Sequence, residues 1–379
     1  MVGDLPGRRD FPDVAVAQPD RRLGTRRLRS AAAQLSGVAQ PGETATLEVE
    51  GLSVELGIGG RWVRALNDVN LTVRPGEALG LVGESGSGKS LTALAVAGLL
   101  PDNARVVAGS IRLRGEEVLG RSEAQLNRLR GRSLAFIFQN PTSYLNPLLT
   151  IGAQIAEVFE VRPELLLAEG GDRLGRGARR ELAWRKVVEH LRLVHIPDPA
   201  RVARQYPFEL SGGMQQRVVI AMALIRRPSL VIADEITTAL DVTVQAQILS
   251  LLAELRASLG MTLLLITHDM GIVAQLADRV AVMYSGSVVE ASDVMSLFAE
   301  ARHPYARALL EAVPQIDGDA TTLRAIPGGI PAITNPPPGC RFHLRCARVF
   351  EPCVLAVPTP VTLGERHSVA CHLYGEGRV

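Results

Sequence analysis

Residues 83–90 read GESGSGKS, the spacing G-x-x-x-x-G-K-[ST], and the chemistry that suits such a string is the cradling of a triphosphate. Gly83, Gly86 and Gly88 let backbone N–H groups turn inward on phosphate oxygens. Glu84, Ser85 and Ser87 complete the loop, and Leu91 follows on a helix whose N-terminus adds partial positive charge. Lys89 reaches the β- and γ-phosphates, and the Ser90 hydroxyl is a ligand for Mg²⁺. A glycine-rich turn with a surface lysine is the bland alternative. It loses ground because a buried-type run, ALGLVG, precedes the loop and the apolar helical stretch KSLTALAVAGLL follows.

A strand ending in acid is the companion such a loop needs, and SLVIADE (229–235) supplies one. Asp234 at the strand's carboxyl end is placed for Mg²⁺ and Glu235 for polarising an attacking water. LSGGMQQR (210–217) then opens a second helix with Ser211, Gly212 and Gly213, a second anion site some 120 residues from the first. A single phosphate loop has no use for it. Two such chains facing each other do, each presenting this helix start to the γ-phosphate held by its neighbour.

The elements that must position these residues follow from hydropathy patterning. TLEVEGLSVEL and VNLTV alternate as half-buried strands do. ALGLVG, LAFIF, LVIADE and TLLLITH are continuous apolar runs, separated by helical stretches such as MQQRVVIAMALIRR and VTVQAQILSLLAELRASLG, so the core reads as an α/β parallel sheet. Residues 1–44, rich in Arg, Pro, Gly and Ala, read as a disordered extension. With Lys plus Arg at 41 against Asp plus Glu at 39, there is no global electrostatic case for nucleic acid. No apolar run reaches the roughly 18 residues that span a bilayer, and nothing at the N-terminus reads as a secretory signal, so the expected location is cytoplasmic.

Taken together, these motifs resemble the ATP-binding subunits of ABC transporters, with every element in the family's order. The phosphate loop is 83–90, Gln139 in FIFQNP matches the Q-loop, and 210–214 the signature, with Gln215 beside it. Asp234 and Glu235 match the Walker B pair, Asp241 in TTALD the D-loop, and His268 in LLITHD the switch histidine. The resemblance implies a P-loop NTPase cassette over residues 45–300: a RecA-like core, an antiparallel β subdomain and a helical subdomain near 140–228. It implies ATP and Mg²⁺, with Ser90, Gln139 and Asp234 near the metal, Glu235, His268 and Gln139 as the catalytic set, and Asp241 among the cofactor-binding residues. The chain departs from the family in having Ile236 where proline is usual after the acid pair, which touches only local loop geometry. No aromatic residue falls cleanly where the family stacks one on adenine; Trp62 is the nearest.

FQNPTSYLNP and ARHPYARALLEAVP (301–314) resemble the dipeptide and oligopeptide importer branch, so 301–379 is expected to be its C-terminal extension. That branch implies import of peptides, a second and non-identical ATPase subunit, two transmembrane permease subunits, an extracytoplasmic binding protein acting indirectly, and a place on the cytoplasmic face of the membrane. Nickel or oligosaccharide import is the alternative cargo; a non-transport ABC ATPase on nucleic acid or ribosomes is the other class, and this chain lacks the coiled coils and insertions those carry. Proline-rich IPGGIPAITNPPPG (326–339) reads as a linker before a separate small unit holding Cys340, Cys346, Cys353 and Cys371, spaced C-x5-C-x6-C-x17-C. Spacing alone leaves an iron–sulfur cluster, zinc, and free or disulfide-bonded thiols open. Resemblance to the branch implies a [4Fe–4S] cluster, with Arg341, Arg345, Arg348 and His343 offsetting thiolate charge.

Overall fold

The computed structural model describes residues 44–169, 175–238, 240–313 and 326–375. The chain divides into two units, 1–41 and 42–379, and all of these residues belong to the second. The expected disordered extension lies, but for Thr44, outside the described residues.

Twelve strands are described: β1 (Leu47–Ile58), β2 (Arg61–Val73), β3 (Ala78–Val82), β4 (Ala104–Leu113), β5 (Glu116–Glu117), β6 (Leu134–Ile137), β7 (Leu230–Asp234), β8 (Thr262–Thr267), β9 (Arg279–Tyr284), β10 (Ser287–Asp293), β11 (Val361–Gly364) and β12 (His367–Val369). They form two sheets. One is antiparallel, in the order β2-β1-β4-β5; the other runs β11-β12-β10-β9-β3-β8-β7-β6 and is parallel from β9 to β6. Every residue of β3 is buried because β9 and β8 flank it and apolar layers cover both faces, which is why ALGLV is apolar without alternation. β1 and β2, one-sided and antiparallel, bury alternate residues such as Leu47, Val49, Leu71 and Val73.

Two apolar layers sandwich the parallel strands. On one side, helices Ile151–Val161, Arg176–Leu193, Gly212–Leu224 and Val242–Leu259 pack with Val231, Ala233, Leu263 and Leu265. On the other, the antiparallel sheet packs with Leu79, Leu81, Ile232 and Ile266. Strand alternation thus sends neighbouring residues of β3, β7 and β8 into different layers. The first three of those helices lie in the chain between β6 and β7, so they reach the sheet together with the acid-bearing strand end.

The tail joins the main sheet. Strand β12 pairs with β10 through Glu290↔Val369 and Ala291↔Ser368, so the β11–β12 hairpin completes the main sheet. Arg366 meets the buried Glu77 at 2.6 Å, and His367 Nε2 lies 2.8 Å from Glu290. Glu290, 1% exposed, also accepts from the backbone N–H of Arg302 and His303, tying helix Pro304–Glu311 to the same strand. The physical reason is the need of an otherwise open β10 edge for a partner.

Candidate functional site

β3 delivers the phosphate loop at its carboxyl end. Gly83 sits at φ 154, where an added Cβ would lie 2.2 Å from the Met283 carbonyl oxygen, so no side chain fits there. Gly88, at φ 108, is the N-cap of helix Lys89–Val96. Lys89 is 4% exposed, and its Nζ donates to the carbonyls of Gly83 at 2.7 Å and Glu84 at 3.0 Å, curling the loop around the ammonium. Burial lowers the Lys89 pKa, opposed by the charges of Glu235, Asp234 and Glu84.

Asp234 ends β7, and its Oδ1 accepts from Ser90 Oγ at 3.1 Å. Burial raises the Asp234 pKa, while the Ser90 hydrogen bond and the charge of Lys89 pull it down. A hydroxyl and a carboxylate in contact beside a phosphate loop form a hard oxygen pair, and that donor set fits Mg²⁺. Glu235 follows in the left-handed region at φ 47, its N–H donating to Ile266 O at 2.9 Å. Ile236 is 3% exposed and anchors the turn from inside, so isoleucine in place of proline leaves the carboxylate in position.

Around that carboxylate the predicted residues converge. Gln139 Nε2 donates to Glu235 Oε2 at 3.2 Å, and His268 Nδ1 lies 3.4 Å from Oε1. Thr238, which the sequence reading did not single out, donates through Oγ1 to Glu235 O at 3.1 Å and Oε2 at 3.3 Å. Its signal was available: a hydroxyl three residues past an acid, just beyond a strand end.

The signature residues serve a different geometry. Ser211 caps helix Gly212–Leu224, accepting from Met214 N–H, and Gly212 is exposed beside it. A Cβ at Gly213 would lie 2.5 Å from Val244 Cγ1, so glycine there lets helices Gly212–Leu224 and Val242–Leu259 approach. Gln215 is buried and donates to Pro207 O at 2.7 Å, which makes it a support for the turn rather than an exposed ligand group. Asp241 caps helix Val242–Leu259 by accepting from Val244 N–H at 2.9 Å.

A cavity of about 520 Å³ opens beside the loop. Ser85, Gly86, Gly88, Lys89, Ser90, Leu91 and Glu235 line one end; Leu56, Ala65, Ile330, Pro331 and Ile333 line the rest. Trp62 is not among these residues. It is 48% exposed, with the Arg105 guanidinium 4.1 Å from its ring centroid, so its face is already covered.

The extension reaches the loop directly. Glu84 N–H donates to Tyr305 Oη at 2.9 Å, and Arg345 Nη1 reaches both Glu84 carboxylate oxygens at 3.1 Å. Tyr284, Tyr305 and Phe342 pack their rings together behind this contact, and burial raises the pKa of both tyrosines. Ser87, fully buried, completes the loop's inner side.

The expected [4Fe–4S] ligand set is not upheld. Among the described residues, no three His, Cys, Asp or Glu side chains are disposed to hold a metal ion. Cys340, Cys346, Cys353 and Cys371 form no disulfide with one another, and Cys340 N–H donates to Cys353 O at 2.8 Å. Burial pushes the Cys340 thiol up to about 11 and raises Cys346 and Cys371, and the neighbouring thiols of the set raise each of them further. The cations assigned to offset them are largely committed elsewhere. Arg345 holds Glu84, Arg341 donates to Ser285 O, and His343 bonds Cys340 O; Arg348 alone bonds sulfur, through its backbone N–H to Cys346 Sγ at 3.4 Å.

Comparison with known proteins agrees with this geometry. Residues 66–238 match the family described as ABC transporter, and 289–353 match the oligopeptide/dipeptide transporter C-terminal region. A Brucella abortus protein named as a peptide import ATP-binding protein is 45% identical over 322 residues, covering 85% of this chain and 93% of that protein. The oligopeptide transport ATP-binding protein OppD of Mycobacterium bovis is 46% identical over 326 residues, and there the match spans 86% of this chain and 51% of the relative. Among solved structures, a dimeric post-hydrolysis ATP-binding cassette bound to ADP and Pi superposes with a TM-score of 0.55 at 27% identity, covering 65% of this chain and 98% of that one. The cbiO1 protein of Clostridium perfringens, part of the ABC transporter complex cbiONQ, gives 0.56 at 26% identity, covering 68% and 92%.

Proposed function

The chain belongs to the ABC transporter family and carries the C-terminal region of its oligopeptide/dipeptide branch; from that premise we propose that it is the ATP-hydrolysing subunit powering peptide import across the cytoplasmic membrane. The observation that carries the reading is the convergence of Gln139, His268 and Thr238 on Glu235, beside the Ser90–Asp234 contact. The loop amides and helix start take up the triphosphate, and Lys89 exchanges the carbonyls of Gly83 and Glu84 for phosphate oxygens. Ser90, Asp234 and Gln139 would hold Mg²⁺, which neutralises charge on the β- and γ-phosphates when bound. Glu235 orients the attacking water and accepts its proton, while His268 and Gln139 fix the carboxylate and contact the γ-phosphate side.

Closure needs a second cassette. Ser211 and Gly213 lie at a helix start on a segment separate from the phosphate loop, and in this reading they serve the nucleotide held by an opposing subunit, a non-identical sibling of this chain. Two membrane permeases above the pair, fed by an extracytoplasmic binding protein, place the subunit on the cytoplasmic face. Among the described residues no helix is long and apolar enough to cross a membrane. The peptide import named for the Brucella relative favours peptides over nickel or sugars as cargo. The test is Glu235→Gln in the complex reconstituted with its permeases in vesicles. ATP binding should persist within a few fold, with turnover and labelled-dipeptide uptake falling at least about a hundredfold; wild-type turnover by the variant would sink the assignment.

A further inference from the structure

The cavity beside the phosphate loop has two kinds of wall, and one of them comes from the C-terminal extension. Leu56 on β1 and Ala65 on β2 face it from the cassette, and Ile330, Pro331 and Ile333 face it from the proline-rich segment. Leu56, Ile330, Pro331 and Ile333 are only half-buried, so apolar surface around the cavity remains available to a ligand. The segment is held at its leading end. Ile330 packs against the cluster of Tyr284, Tyr305 and Phe342, and just before it the carbonyls of Ile326 and Pro327 accept from Arg345.

We infer that Ile330, Pro331 and Ile333 form the outer wall of the nucleotide's base and ribose pocket, clamping the base against Leu56 and Ala65 without an aromatic stack. This rests on the ATPase reading above and adds to it the residues that hold the base. The phosphate end fixes the triphosphate at Lys89 and Ser90, and the space continuing from it is bounded by aliphatic side chains. A flat heteroaromatic ring is the part of a nucleotide that such walls accept, because they remove apolar surface from water without asking for hydrogen bonds. Aliphatic walls also read a base edge weakly, so GTP should bind within a few fold of ATP.

The experiment compares the full-length wild type with Ile330→Ser/Ile333→Ser, titrating Mg-ATP and Mg-tripolyphosphate, the latter lacking base and ribose. ATP affinity should fall about tenfold or more, the loss expected from two apolar contacts, and tripolyphosphate affinity should not change. Unchanged ATP affinity in the double variant overturns the inference, and so does an equal loss of tripolyphosphate, which would make the segment a prop for the loop. If wild-type protein bound neither ligand, or Lys89→Ala bound both normally, the ATPase reading itself would fail instead.

Discussion

At the scale of single residues, Glu235 is the hub, and its left-handed backbone at φ 47 is the kind of strain that sites tolerate when neighbours hold it. Thr238 is one of those neighbours. Thr238→Val should lower kcat about tenfold with KM for ATP nearly unchanged, measured as phosphate release by the assembled complex, because Thr238 bonds the Glu235 carboxylate and does not line the cavity beside the phosphate loop. His303 makes a different prediction. Full burial lowers its pKa from 6.5 to about 3, and its Nδ1 accepts from Tyr305 N–H at 3.0 Å, a bond only the unprotonated nitrogen can make. Between those two values the unfolded chain takes up a proton that the folded chain refuses. Stability is therefore fully present above pH 6.5 and falls as pH drops, by up to about 1.4 kcal/mol per unit. Denaturant unfolding at several pH values should show this slope, and His303→Asn, which keeps a capping acceptor without titrating, should flatten it.

At the scale of elements, the helix pair Gly212–Leu224 and Val242–Leu259 is set by the absence of one carbon. Gly213→Ala would drive a Cβ into Val244 and should cost about 1–3 kcal/mol of stability, recovered in large part by adding Val244→Ala, as read by thermal unfolding of the double variant. Most of the site-bearing elements were legible. The runs ALGLV, LVIAD and TLLLIT are buried on both faces, and period-free apolarity is what such strands must show. Gln139, Asp234, Glu235 and His268 were each marked by a strand end. The hairpin β11–β12 was not legible, since VTLG and HSV are short, mostly half-exposed and carry no long period. Contacts across 261 residues, such as Arg345 with Glu84, leave no local trace in sequence either. For the cysteines, type and spacing were visible, whereas thiol burial and the commitments of the surrounding cations appear only once the chain is folded.

At the scale of the molecule, the extension and the cassette share one sheet and one aromatic cluster, so damage to either should be felt by both. Removing the β11–β12 hairpin by ending the chain after Pro360 would strip Glu77 of Arg366 and Glu290 of His367 and bare the β10 edge. The truncated chain should unfold several degrees lower than the intact one and self-associate on size-exclusion chromatography, whereas an unchanged melting temperature would mean that the hairpin is an ornament on a finished sheet. The same pairing has a meaning in time. Ribosomes make about 5–20 residues each second, so β10 is synthesised roughly 4–15 s before β12 emerges behind it. Throughout that interval the nascent protein carries a strand with one open edge and a carboxylate meant for burial, and chaperone demand during synthesis should be greatest in that window.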